Sequence, residues 1–285
     1  MNWYTYSLLA LILLGSQRFL YKVSAERNCN TGLTTFTFMT TVTILSIIFF
    51  FILGEPVGNI KMLVAIGSWN SIAFVIATIT HIESLKHIPA SVVYTIIRLN
   101  IVIVIIFSII YFNDKISFFQ IAGILLSIAV VLVLRQSASE EEGSSINLRR
   151  GFILAFISLF AGAMAVISSK FAALHTNSLA FIAYAYGLGM VLSFGLKKRL
   201  EPNKGSDNAT EAFIIGIAMG LMNLGGYYAF LQALAAGPLS VIGSIMGMHF
   251  VIAIILSAVI FKERITAKRA IGITMTITSV ILLRL

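Results

Sequence analysis

Apolar residues run along this chain in blocks of about 20, the length that crosses a hydrocarbon layer as a helix, and polar or charged turns close each block. Ten such blocks lie near 3–22, 33–53, 62–82, 89–112, 117–135, 150–172, 178–196, 211–234, 239–261 and 266–284. An unpaired backbone amide in hydrocarbon costs several kcal/mol, so each block is read as a transmembrane helix. Most connections are short, which makes consecutive helices antiparallel neighbours. The clear exception is a linker over 136–148, where Glu140-Glu141-Glu142 is followed by Gly143-Ser144-Ser145. It separates a first unit of five helices, residues 1–135, from a second, residues 149–285.

The two units repeat. Shifted by 149 residues, the stretch Leu85 to Arg135 returns without a gap as Leu234 to Arg284, identical at about a third of positions. Pro89, Ser91, Ile96, Ser108, Phe112, Ile116 and Gly123 meet Pro238, Ser240, Ile245, Ser257, Phe261, Ile265 and Gly272, and the turn Asp114-Lys115 meets Glu263-Arg264. Apolar composition alone does not place Pro, Ser, Gly and an acidic-basic pair in one register. Five helices per unit is odd, so the second unit enters the membrane upside down. The expected fold is an all-α integral membrane protein: ten transmembrane helices as two inverted five-helix repeats around a central cavity.

Composition excludes other classes. The chain is 59% hydrophobic and 11% charged, against roughly 25% charged in a soluble domain. Its net charge of +9 is therefore read as membrane topology and not as nucleic-acid affinity. One cysteine, Cys29, leaves no intrachain disulfide and no Cys metal cluster. The first block, Trp3 to Tyr21, lacks the basic start of a signal peptide and is read as a helix of the bundle. Most basic residues, among them Lys22, Arg27, Lys86, Arg149, Arg150, the Lys197–Arg199 run, Lys262, Arg264, Lys268 and Arg269, fall in alternate loops on one side. The positive-inside rule makes that side cytoplasmic and both termini of a cell-membrane protein extracytoplasmic.

A Pro-Ala-Ser or Pro-Leu-Ser step, a long apolar helix, an acidic-basic turn and a Gly-containing last helix occur in both halves. They read Leu85-Lys86-His87-Ile88-Pro89-Ala90-Ser91 with Asn113-Asp114-Lys115-Ile116, and Leu234-Ala235-Ala236-Gly237-Pro238-Leu239-Ser240 with Lys262-Glu263-Arg264-Ile265. This arrangement resembles the EamA family of the drug/metabolite transporter superfamily. The second copy is the closer match; the first has Asp where the family usually has Glu. The resemblance implies ten helices in two inverted halves around a central cavity, and export or import of small metabolites. It also implies cytoplasmic termini, opposite to the loop charges, and the charge reading is kept because it comes from these residues.

Candidate chemistry lies in polar residues at membrane depth. Ser91, Tyr94, Thr95 and Arg98 follow at i, i+3, i+4 and i+7 on one face of the fourth helix. Their repeat mates Ser240, Gly243, Ser244 and Gly247 form a bare stripe that leaves room for them and for a ligand. A guanidinium at the bilayer centre costs at least about 2.5–3.5 kcal/mol, so Arg98 faces a polar space. It holds an anionic group of the substrate there, or it orders the bundle through an ion pair or backbone carbonyls. Gly216, Gly220, Asn223 and Tyr227 share a face of the eighth helix, and Gly67, Ser71, Phe74 and Thr78 share the matching face of the third. Ser71, Thr78, Asn223, Tyr227 and Ser244 complete the expected substrate site. His249 titrates near neutral pH, and with Glu83 is a candidate for proton coupling. By 100° steps, however, His249 and its mate Asn100 point about 200° from the stripe. Arg18, Lys22 and Lys170 are expected to snorkel to an interface, and Lys22 and Lys170, near matching helix ends, are gate candidates.

No metal-ligand spacing, phosphate-binding glycine loop or nucleophile-base pair occurs, so no enzyme, metal or cofactor is expected. The reading is a secondary active transporter, an exporter, of a small organic metabolite such as an amino acid or related carboxylate, working by alternating access. The runner-up is a flippase for a lipid or lipid-linked phosphate. A different class is a membrane receptor or assembly protein that moves nothing. The expected partners are a small-molecule substrate and the lipid bilayer, without nucleic acid, and a monomer suffices because both halves lie in one chain.

Overall fold

The computed structural model describes residues 2–27, 29–85, 87, 93, 96–97, 99–135, 148–200, 208–261 and 267–285, with side chains for all of these except 25, 31, 82, 85, 131–135, 193–200 and 268–269. Among the described residues the first half forms α1 (Trp3–Glu26), α2 (Thr31–Leu53), α3 (Ile60–Leu85), α4 (Asn100–Phe112) and α5 (Phe118–Arg135). The second half forms α6 (Leu148–His175), α7 (Ser178–Leu200), α8 (Ala209–Ala236), α9 (Leu239–Gly247), α10 (His249–Ile260) and α11 (Ala267–Arg284). Among the described residues five spans are long and apolar enough to cross a membrane, Gly32–Leu53, Ile60–His81, Leu148–His175, Ala209–Ala236 and Leu239–Ile260, and four shorter apolar helices accompany them. Large apolar side chains such as Phe51, Ile110 and Phe118 point outward, as lipid-facing residues do. The linker over 136–147 lies outside the described residues.

Local sequence explains where helices begin and end. Asn30 caps α2, its side chain accepting from the Leu33 N–H at 2.8 Å, and Asn177 caps α7 by accepting from Leu179 and Ala180 at 3.0 Å. Gly54, at φ 60°, closes α2 in the left-handed conformation that glycine adopts without strain. One interruption occurs twice. The Met248 N–H bonds the Ile245 carbonyl and the Val251 N–H bonds the Met248 carbonyl. In the first half Leu99 bonds Ile96 and Val102 bonds Leu99 in the same way. These partners are three residues apart, where a continuous α-helix would use four. The two breaks are 149 residues apart, the offset of the sequence repeat. The single helix expected over 239–261 is therefore two segments, α9 and α10, meeting at Met248.

Packing is interleaved between the halves. The largest interfaces join α3 to α6 and α1 to α8, and α1 also packs on α10 as α6 packs on α4. α2 pairs with α7, and α5 with α11. Each of these contacts maps onto another, or onto itself, when the halves are exchanged. Small residues set the close approaches. A Cβ on Gly220 would lie 2.6 Å from the Thr41 side chain of α2, and one on Gly216 would lie 2.7 Å from Thr37. Gly67, the repeat mate of Gly216, is covered by the Tyr184 ring of α7 in the same manner, at 2.5 Å from a built Cβ.

Candidate functional site

A cavity of about 280 Å³ lies between the halves and is lined by both. α1 contributes Gln17, Arg18 and Tyr21; α3 contributes Asn70 and Ser71; α8 contributes Asn223 and Tyr227; the broken helix contributes Gly243, Ser244, Gly247 and His249. No aspartate or glutamate is among the described lining residues.

The wall is a hydrogen-bonded surface. Asn70 is buried, and its Nδ2 donates to the Ala165 carbonyl at 2.8 Å and to the hydroxyls of Ser168 and Ser169 at 2.9 and 3.2 Å. The Ser169 hydroxyl in turn pairs with the Tyr227 hydroxyl at 2.9 Å. Ser71 donates to the Ala185 carbonyl at 2.6 Å, and Ser244 donates to the Ser240 carbonyl of its own helix at 2.8 Å. Asn223 is buried, and its Nδ2 donates to Gln17 Oε1 at 3.1 Å. Its Oδ1 meets no donor at hydrogen-bonding geometry, and the Tyr186 hydroxyl is a neighbouring polar group. Arg18 rests over the Tyr21 ring, 5.7 Å from its centroid. From Tyr21, aromatic contacts run through Phe38, Tyr186 and Tyr227 to Phe230.

Of the expected substrate-binding residues, Ser71, Asn223, Tyr227 and Ser244 share this cavity. Thr78 does not: it lies one helical turn beyond Phe74, the last α3 residue in the wall, and it is exposed and bonds the Phe74 carbonyl of its own helix. Ser91, Tyr94, Thr95 and Arg98 lie outside the described residues. His249 and Asn100, expected to point away, are both in the wall. The 100° step does not carry through the break at Met248 and Leu99, and each residue begins a re-aimed segment. The His249 ring donates through Nδ1–H to the Met246 carbonyl at 2.5 Å. Arg18, expected at an interface, lines the cavity instead, since α1 is packed inside the bundle against α8 and α10. Glu83 sits away from the cavity, 3.7 Å from His87 and 3.9 Å from Arg150. Lys170 is buried, its ammonium donating to the Leu234 and Gly237 carbonyls, and Lys22 lies over the Phe261 ring at 5.4 Å. Neither lysine lines the cavity. Asn70, Ser169, Gln17 and Tyr186 also line the cavity and were not among the expected substrate-binding residues. The usable signal was that an amide inside a long apolar helix, Gln17 or Asn70, must find a partner.

The arrangement defines a class: a multi-pass helical membrane protein whose two homologous halves enclose a solute-sized cavity, with polar groups set in a largely apolar wall. The sequence matches the EamA-like transporter family twice, over residues 1–136 and 149–285, and the chain belongs to that family, whose members are generally small-molecule transporters. A solved crystal structure, titled only as that of a protein, superposes with a TM-score of 0.82 over 98% of this chain and 95% of its own, at 14% identity, a likeness of fold alone. No curated protein matches the sequence.

Proposed function

We propose that this protein is a secondary active transporter, working as an exporter, that carries a small carboxylate-bearing metabolite such as an amino acid across the cell membrane by alternating access. The observation that carries the reading is the chemistry of the cavity wall. It presents the Arg18 guanidinium, hydroxyls and an amide oxygen without a donor, and its described lining residues include no carboxylate. A carboxylate on the solute would pair with the guanidinium, and an N–H group would satisfy Asn223 Oδ1. Arg98 is proposed as a second cation for the same anion, since its repeat mate Gly247 lines the cavity. Ser91, Tyr94 and Thr95, on the sequence stripe of Arg98, are proposed to complete that wall.

The proposal includes ten spans in two inverted repeats. Supporting it, Trp3 at the start of α1 and Lys170 near the end of α6 both rest on Gly237, so equivalent helices run in opposite directions. The loop charges support a cytoplasmic basic face and extracytoplasmic termini. His249 in the cavity wall is the proposed proton-coupling residue; Glu83, paired outside it, is the weaker candidate.

The test is ligand-induced thermal stabilisation of purified protein over acidic, zwitterionic and cationic metabolites and lipids. Wild type is compared with Arg18→Ala and Arg98→Ala. A solute at 100 times its Kd stabilises the folded state by about 2.7 kcal/mol. Acidic or zwitterionic solutes should stabilise wild type, and each variant should lose that response while remaining folded. Stabilisation by cations or by lipids alone, equal in all three proteins, would overturn the reading, and lipids alone would point to a flippase.

A further inference from the structure

Lys22 and Lys170 do the same thing at opposite ends of the molecule. Lys170 comes from the second half and lies 5.5 Å from the centroid of Phe112 in the first half. Lys22 comes from the first half and lies 5.4 Å from the centroid of Phe261 in the second. Phe112 and Phe261 are repeat mates, 149 residues apart. The ends are distinguished by α1: Trp3, at its start, covers Gly237, whose carbonyl accepts from Lys170 at 2.9 Å. Lys22 is 19 residues further along α1, about 28 Å at 1.5 Å per residue.

The Lys170 end is clamped. Asp114, just after α4, accepts from the Ser108 hydroxyl at 2.5 Å, the Ser240 hydroxyl at 2.8 Å and the Ser240 N–H at 3.1 Å. It thereby ties the first half to the first turn of α9, where a carboxylate also suits the helix dipole. Lys170 donates to two carbonyls at the end of α8, those of Leu234 and Gly237, at the complementary pole. Around this clamp Phe107, Tyr111 and Phe112 of α4 pack against Phe171 of α6, with centroids 5.0–6.4 Å apart. At the Lys22 end, the described ring contact is Phe19 with Phe261 at 5.7 Å.

We infer that Lys170 with Phe112 and Asp114, and Lys22 with Phe261, are two exchanging gates of the central cavity. Each lysine holds the halves together across one mouth, and its contacts with the opposite half must part for that mouth to open. The inference concerns how the cavity is reached and holds whatever solute it carries.

Sided cysteine labelling tests this without a known solute. The full chain carries Cys29→Ser, which removes its single cysteine, and Ser244→Cys in the cavity wall. A charged, membrane-impermeant thiol reagent is added to right-side-out and to inside-out membrane vesicles. Lys170→Met, Asp114→Asn and Phe112→Leu should each raise labelling about tenfold from one face only, the range open to a minor state populated at about 1–10%. Lys22→Met should raise it from the opposite face only. Phe112→Leu and Asp114→Asn keep the test intact should loss of the buried ammonium prevent folding, which gel filtration and melting report. Unchanged labelling, or a rise from both faces alike, in folded variants would overturn the two-gate assignment.

Discussion

The seam between α8 and α2 offers a test of the packing in which one substitution has opposite signs at two glycines. Gly220 faces Thr41 so closely that a methyl group there would lie 2.6 Å from both Cβ and Cγ2 of the threonine, and 3.3 Å from the Phe38 carbonyl. Cβ and a backbone carbonyl cannot rotate away, so α8 must move from α2 or Thr41 must shift with its helix. Overpacking of this kind costs about 1–3 kcal/mol. The gain in helix propensity from glycine to alanine, about 0.8–1 kcal/mol, offsets part of it. Gly187 on α7 is also helical, but a methyl there would meet only Thr43 Cγ2 at 3.5 Å, an ordinary contact. Gly187→Ala should therefore stabilise by up to about 1 kcal/mol, through propensity alone. Gly220→Ala should destabilise by up to about 2 kcal/mol after the offset. Unfolding in mixed micelles by titrated denaturing detergent, with thermal midpoints beside it, measures both. If the two substitutions have the same effect, or Gly220→Ala is the more stable, the seam is not set by contact at Gly220 and the reasoning fails.

Other consequences follow from the cavity wall. Asn70→Ala removes an amide that donates to three acceptors and should lower stability by about 1–2 kcal/mol, with a coupling of about 0.6 kcal/mol to Ser169→Ala in a double-mutant cycle; zero coupling would refute the network. Gly247→Ala meets only the end of a flexible side chain, Ile101 Cδ1 at 2.7 Å, so it should cost under about 1 kcal/mol while the added methyl narrows the cavity. Its melting point should stay near wild type and its response to a stabilising solute should fall. Ser279→Ala breaks the hydroxyl bond to the Gly123 carbonyl at 2.7 Å between α11 and α5. It should lower stability by about 0.6 kcal/mol and leave solute stabilisation unchanged.

Membrane class, the two halves and their register were legible in the chain itself. Runs of apolar residues and a constant offset of 149 are one-dimensional properties, and hydrocarbon allows such runs one backbone solution, the helix. Four cavity residues, Ser71, Asn223, Tyr227 and Ser244, were readable for the same reason: they share helix faces with small residues, and the periodicity holds within an unbroken helix. What tertiary structure alone decided is direction. Helical periodicity tells which residues share a face, not what that face meets. Arg18 enters the cavity because α1 lies inside the bundle, and Thr78 falls outside it because the cavity wall ends a turn earlier on α3, at Phe74. His249 and Asn100 enter because three-residue hydrogen bonding at Met248 and Leu99 resets the angular count. The pairing of Lys22 with Phe261 and of Lys170 with Phe112 joins residues far apart in the chain, and only the interleaving of the two halves brings them together.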